Sequence, residues 1–151
     1  MWLNRISPAL AIQSVYKENF SLVLPKDHWI SEENFTGVEQ LSKESFILYP
    51  NEHCRMYYQQ ILNICSDAGF SPQISYRSIH GPTIFKLIES GLGVSIVPIS
   101  LKDDHNYHIK FIELKEVIQK TELFAVWNRA NRAEELFHFI QLLDQGRRAW
   151  F

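Results

Sequence analysis

Short apolar runs closed by a proline mark the strands that the sequence predicts. Residues 20–24 alternate apolar and polar side chains, which indicates a strand with one buried face. Residues 46–49 and 94–97 are continuous apolar runs, as is typical of parallel strands buried on both faces. Further strands are expected at 74–76, 109–114 and 123–127.

Apolar residues at helical spacing predict three main helices. The first ends before Gly69, a residue type that favours a left-handed cap. The second starts near Pro82, whose missing N–H costs nothing in a first turn. The third covers about 131–145, with acidic residues in its first turn and two arginines past its end, as the helix dipole favours. The predicted buried stripes are Tyr58, Ile61, Leu62 and Cys65; Ile84, Leu87 and Ile88; and Leu136, Phe139, Ile140 and Leu143.

The order of these elements predicts the fold class. Strand, helix, strand, helix and strand in short order indicate an α/β fold with a parallel sheet and right-handed crossovers. A short helix is expected at 38–42. The pair Gly91 and Gly93 follows a helix rather than opening one, so we interpret it as a turn and not as a dinucleotide-binding fingerprint.

Composition and charge narrow the function classes. The chain has 151 residues, 46% of them hydrophobic, which suits one ordinary domain or two small lobes. A net charge of −2 predicts no general phosphate-binding surface. The apolar runs are too short to span a bilayer and no signal peptide is recognisable, so we expect a cytoplasmic protein. Cys54 and Cys65 lie about 16 Å apart along a helix, so both should be free thiols.

No catalytic or metal-binding motif can be assembled. Asp103, Asp104, His105 and His108 could hold a metal, but their spacing is loose and a solvated loop is the better interpretation. His53 and Cys54 are adjacent and have no evident orienting carboxylate, which disfavours a nucleophile and base pair. We therefore expect no enzyme activity, no metal and no cofactor.

The segment from Pro50 to Arg55 is the best candidate for a binding site. It joins the end of a buried strand to the start of a helix, and ligands of parallel sheets lie beyond the carboxyl ends of strands. The helix N-terminus offers N–H groups to an anion, Arg55 adds a fork of donors, and Tyr57 adds a ring and a hydroxyl. Ser78 and His80, at the next strand-to-helix junction, would open on the same edge. Ordinary caps and turns remain the alternative at both junctions.

Four stretches in this order resemble the C-terminal effector-binding domain of LysR-type transcriptional regulators. They are FSLVLPKDH at 20–28, FILYP at 46–50 with NICSDAGFSP at 63–72, IFKLIESGLGVSIVP at 84–98, and LFAVWN at 123–128. The resemblance implies a fold like that of type 2 periplasmic binding proteins, with two Rossmann-like lobes and a small effector bound between them. It covers nearly the whole chain.

The resemblance also implies an incomplete first lobe. Residues 20–120 would form the second lobe, and 1–19 with 121–151 would be what remains of the first. The family's DNA-binding winged helix-turn-helix, and the first strand, first helix and second strand of the first lobe, have no counterpart here. We therefore expect a chain truncated on its N-terminal side, with DNA binding only through the absent module. Its uncovered apolar face and strand edge predict a homo-oligomer.

The family's effector contacts carry over to particular residues of this chain. The resemblance places Pro50, Arg55, Met56 and Tyr57 at the effector, and more weakly Tyr49, Ser78 and His80. It implies an effector-sensing domain that binds a small metabolite between its lobes and so modulates DNA-bound oligomers. The helix start beside Arg55 suggests that this metabolite is an anion or a carboxylate. The alternative is a stand-alone small-molecule-binding domain of the same fold without a regulatory role.

Overall fold

The computed structural model describes residues 6–102 and 106–149, and the side chains of 147–149 lie outside this description. Six strands are described: β1 (Leu10–Pro25), β2 (Ser45–Leu48), β3 (Gln73–Arg77), β4 (Ser95–Pro98), β5 (Ile109–Glu113) and β6 (Lys120–Asn128). Three α-helices accompany them: α1 (Arg55–Asp67), α2 (Gly81–Glu89) and α3 (Glu134–Ala149). A short 3-10 helix spans Val38–Leu41, and a second one spans Ile99–Lys102.

The parallel part of the sheet has the strand-helix-strand-helix-strand order that the sequence predicts. β2 and β3 pair in parallel across the α1 crossover. The N–H of Ile47 donates to the carbonyl of Val94 at 2.9 Å, and the N–H of Val94 donates to the carbonyl of Ser45 at 2.8 Å. These bonds place β4 beside β2, also in parallel. The carboxyl ends of β2, β3 and β4 therefore share one edge.

The strand β1, whose pairing the sequence analysis did not predict, is antiparallel to both of its neighbours β4 and β5. Leu22 is paired with Ile96 of β4 on one side and with Ile112 of β5 on the other. β1 also begins ten residues before the predicted start at residue 20. Polar residues such as Gln13 and Lys17 interrupt the alternation there, so the hydrophobic pattern detects only the buried half of the strand.

Two apolar layers cover the two faces of the sheet, one under each crossover helix. The layer under α1 contains Phe46, Ile61, Ile64 and Cys65 with other buried residues. The layer under α2 contains Ile47, Ile84, Phe85 and Ile88. The predicted apolar stripes of α1 and α2 thus face the sheet. Two of their predicted members, Leu62 and Leu87, are only half-buried, whereas Ile64 and Phe85, which the stripes did not include, are buried. The packing of these buried faces holds both helices, and therefore their first turns, against the sheet.

The predicted helix boundaries at glycine and proline are confirmed. Gly69, just past α1, has φ 87°, and Gly91, just past α2, has φ 76°, both in the left-handed region. Pro82 lies in the first turn of α2. Cys54 is the residue before α1 rather than a member of it, and both cysteines are free, with Cys65 fully buried.

The chain divides into two compact units, Glu18–Thr121 and the pair of segments Met1–Lys17 with Glu122–Phe151. In the second unit the N–H of Arg129 donates to the carbonyl of Ala9 at 2.8 Å, and the amide of Gln13 donates to Asp144 at 2.7 Å. The assignment of these units to a second and a first lobe stays a prediction.

The predicted buried stripe of α3 is wrong. Phe139 is 57% exposed, and Leu136, Ile140 and Leu143 are only half-buried. A helix needs a second layer to bury its apolar stripe, and the described residues of this unit supply too little of one. Asp103, Asp104 and His105 lie outside the described residues. No helix within 6–102 and 106–149 is long and apolar enough to cross a membrane.

Candidate binding site at the carboxyl edge of the sheet

The structure brings the two predicted strand-to-helix junctions together. The N–H of Ser78, just past β3, donates to the carbonyl of Leu48 at the end of β2, at 3.1 Å. The hydroxyl of Tyr49 lies against Gly81, the first residue of α2. Residues 49–57 and 78–81 therefore form one continuous surface at this edge, which we call the junction surface.

The start of α1 is open to an anion. The N–H groups of His53 and Cys54 both donate to the carbonyl of Pro50, at 3.2 and 3.0 Å, and so close the turn that leads into the helix. No side chain caps this end of α1, and its first turn contains no acidic residue. Neither a capping side chain nor an acidic residue of the first turn therefore occupies the N–H groups at this helix start.

The charged and apolar side chains at this helix start face outward. Arg55 is exposed, and Met56 is 50% exposed. A guanidinium beside an uncapped helix N-terminus offers both a fork of donors and a favourable field to a carboxylate. This part of the junction surface therefore has the chemistry that the sequence predicts for it.

The hydroxyl of Tyr57 is already used within the protein. It donates to the carbonyl of Ile96 at 2.6 Å and so ties α1 to β4. Burial raises the pKa of Tyr57 well above its usual range. Only the ring of Tyr57 can contribute to a ligand contact without breaking this bond.

Tyr49 lies at the centre of the junction surface, at the end of β2. Its ring meets the ring of Tyr57 edge-on, with centroids 5.2 Å apart and an interplanar angle of 85°. A Cβ atom added to Gly81 would lie 2.8 Å from the Tyr49 hydroxyl oxygen. Burial, with a smaller contribution from nearby Cys54, raises the pKa of Tyr49.

Ser78 and His80 form a local turn before α2. The hydroxyl of Ser78 accepts the N–H of His80 at 3.1 Å. The side chain of His80, the residue before the helix, makes no capping hydrogen bond and is exposed. Ser78 thus has the turn role that was the alternative interpretation, and a binding role for either residue stays a prediction.

Within residues 6–102 and 106–149, no group of three or more His, Cys, Asp or Glu side chains is arranged to hold a metal ion.

The sequence matches the LysR substrate binding domain family over residues 2–148. This chain belongs to that family. AlsR, an HTH-type transcriptional regulator of Bacillus subtilis, is 25% identical over 134 residues, which are 89% of this chain and 44% of AlsR. The chain therefore spans about half the length of this relative.

Solved structures of LysR effector-binding domains share the fold. The domain of BenM with its effector benzoate has a TM-score of 0.79 at 19% identity, covering 93% of this chain and 64% of that one. The domain of QuiR in complex with shikimate has a TM-score of 0.75 at 15% identity, covering 96% of this chain and 68% of that one. The predicted periplasmic-binding-protein-like α/β fold is confirmed.

Two depressions of this LysR domain lie along β5 and include no residue of the junction surface. They have volumes of about 360 and 340 Å³ and share Glu32, Lys102 and Ile112 in their walls. None of the predicted site residues lines either of them. Both are open to solvent, and both have lysine and glutamate side chains in their walls. Sequence patterns could not predict these depressions, because the residues in their walls are distant along the chain.

Proposed function

We propose that this chain is the effector-sensing domain of a LysR-type transcriptional regulator and binds a small carboxylate at the start of α1. The observation that carries the proposal is the uncapped, acid-free first turn of α1 beside exposed Arg55. Benzoate and shikimate, bound by the related BenM and QuiR domains, are both carboxylates.

The proposed mechanism is a population shift. An effector that binds one arrangement of the two lobes better than another favours that arrangement by the difference in binding free energy. In a longer, cytoplasmic regulator, the shift would reposition winged helix-turn-helix modules on DNA through the packing of an oligomer. In this mechanism the effector binds and dissociates without being chemically converted, so the chain needs no catalytic residues.

Replacement of Arg55 tests the carboxylate contact. We expect Arg55→Ala to weaken binding of benzoate and shikimate about tenfold, the low end for a charge-assisted hydrogen bond because Arg55 is exposed. Isothermal titration calorimetry on the 151-residue chain measures this. The matched control is Arg132→Ala, since Arg132 is an exposed arginine outside the junction surface. Equal affinities for the wild type and Arg55→Ala would contradict the proposal.

A further inference from the structure

The two tyrosines of the junction surface differ in what their hydroxyl groups do. The hydroxyl of Tyr57 donates to the carbonyl of Ile96 at 2.6 Å. The hydroxyl of Tyr49 makes no hydrogen bond to any residue within 6–102 or 106–149. Tyr49 was the weaker prediction from the sequence, but it holds the hydroxyl that is available to a ligand.

The position of the Tyr49 hydroxyl is fixed by its surroundings. The ring is half-buried and packs edge-on against Tyr57, which is itself tied to β4. The hydroxyl lies so close to Gly81 that a methyl group there would be only 2.8 Å from the oxygen. A tyrosine has few rotatable bonds, so little side-chain freedom is lost when this hydroxyl binds a ligand.

The Tyr49 hydroxyl is accessible to solvent, since it is not one of the buried polar atoms that lack a partner. A ligand oxygen can therefore take the place of solvent at this hydroxyl and form a hydrogen bond with it. Since burial raises the pKa of Tyr49, the hydroxyl stays protonated at neutral pH and can donate. It lies beside Gly81 at the start of α2, on the same junction surface as Arg55.

We infer that Tyr49 determines the effector specificity of this domain by hydrogen bonding to a hydroxyl or keto oxygen that the effector carries beside its carboxylate. This inference rests on the proposed function. It assigns the effector to the hydroxylated or keto carboxylates rather than to the purely apolar acids.

Benzoate and its three monohydroxylated isomers test the inference, because each pair differs by one hydroxyl. We expect at least one isomer to bind the 151-residue chain about tenfold more tightly than benzoate. In Tyr49→Phe this preference, measured as the ratio of the two affinities within the same variant, should fall to within twofold. Tyr76→Phe, on exposed β3, is the matched control and should keep the full preference.

The outcomes separate this inference from the proposal beneath it. If Arg55→Ala weakens all four acids but Tyr49→Phe leaves their ratios unchanged, the specificity role of Tyr49 is overturned and the carboxylate site stands. If Tyr49→Phe weakens benzoate as much as the hydroxylated isomers, Tyr49 acts by packing and the inference is overturned. A wild-type chain that binds none of the four acids at millimolar concentration overturns both. Thermal melts of each variant verify that it folds.

Discussion

The contact between Tyr49 and Gly81 makes a sharp prediction about stability. Gly81 is the first residue of α2 and has no positive φ, so its backbone would accept an alanine. Without Tyr49, Gly81→Ala should stabilise the fold by about 0.4–1 kcal/mol, because alanine restricts the unfolded chain. With Tyr49 present, the new Cβ would stand 2.8 Å from the hydroxyl oxygen, closer than such atoms approach.

The size of the penalty follows from how firmly Tyr49 is held. Its ring is backed edge-on by Tyr57, whose hydroxyl is bonded to β4, so the ring has limited room to move aside. Overpacking of this kind costs about 1–3 kcal/mol. We therefore expect Gly81→Ala to lower the free energy of unfolding by about 1 kcal/mol in net terms.

A double-mutant cycle isolates the contact. The variants are Gly81→Ala, Tyr49→Phe and the combination, each measured by urea denaturation. In the Tyr49→Phe background the hydroxyl is gone, and Gly81→Ala should be neutral or stabilising. The expected coupling is about 1–2 kcal/mol. An equal effect of Gly81→Ala in both backgrounds would refute the claim that the Tyr49 hydroxyl occupies the space beside α2.

Three further predictions test the fold and assembly. Gly93→Ala should lower the free energy of unfolding, measured by urea denaturation, by at least about 2 kcal/mol, because its Cβ would lie 2.4 Å from the Ser45 carbonyl oxygen. Gly146→Ala, which has no atom within 4 Å of the new Cβ, should not lower it. Equal effects of the two substitutions would contradict the close contact between Gly93 and Ser45. Burial raises the pKa of the Cys65 thiol to about 12, so this thiol ionises at lower pH in the unfolded chain than in the folded one. The free energy of unfolding should therefore fall as the pH rises from about 8.5 toward 12, and it should fall less steeply in Cys65→Ala. Identical slopes in the wild type and the variant would contradict this prediction. Leu123 and Leu142 are each 62% exposed, so we propose that a second copy of the chain covers the apolar face of their unit in a homo-oligomer. A monomer found by light scattering at micromolar concentration would disprove the homo-oligomer.

The elements of Glu18–Thr121 could be predicted because their local signals agree. Continuous apolar runs, Gly69 and Pro82 mark strands and helix ends that tertiary packing then preserves. The long β1 could not be predicted, because its first half carries polar residues on a strand with no strong alternation. The stripe of α3 has the right spacing for burial, but spacing does not reveal whether a covering layer is present.

For the junction surface too, some features could be predicted from the sequence and others could not. The order of strands and helices is enough to bring residues 49–57 near 78–81, since parallel strands end at one edge. The pattern cannot show which hydroxyl is already bonded. Tyr57 donates to Ile96, thirty-nine positions away, and Tyr49 contacts Gly81 across the next crossover. Such long-range contacts depend on the folded arrangement and leave no local signal in the sequence.

The most direct test of the account maps where a carboxylate binds. Amide chemical shifts of the isotope-labelled chain are followed by NMR during titration with benzoate and shikimate. We predict saturable shifts concentrated at the junction surface, in residues 49–57 and 78–81, and weakened by Arg55→Ala. Saturable shifts confined to the depressions along β5, or no saturable shifts at all, would contradict the assignment of effector sensing to the starts of α1 and α2.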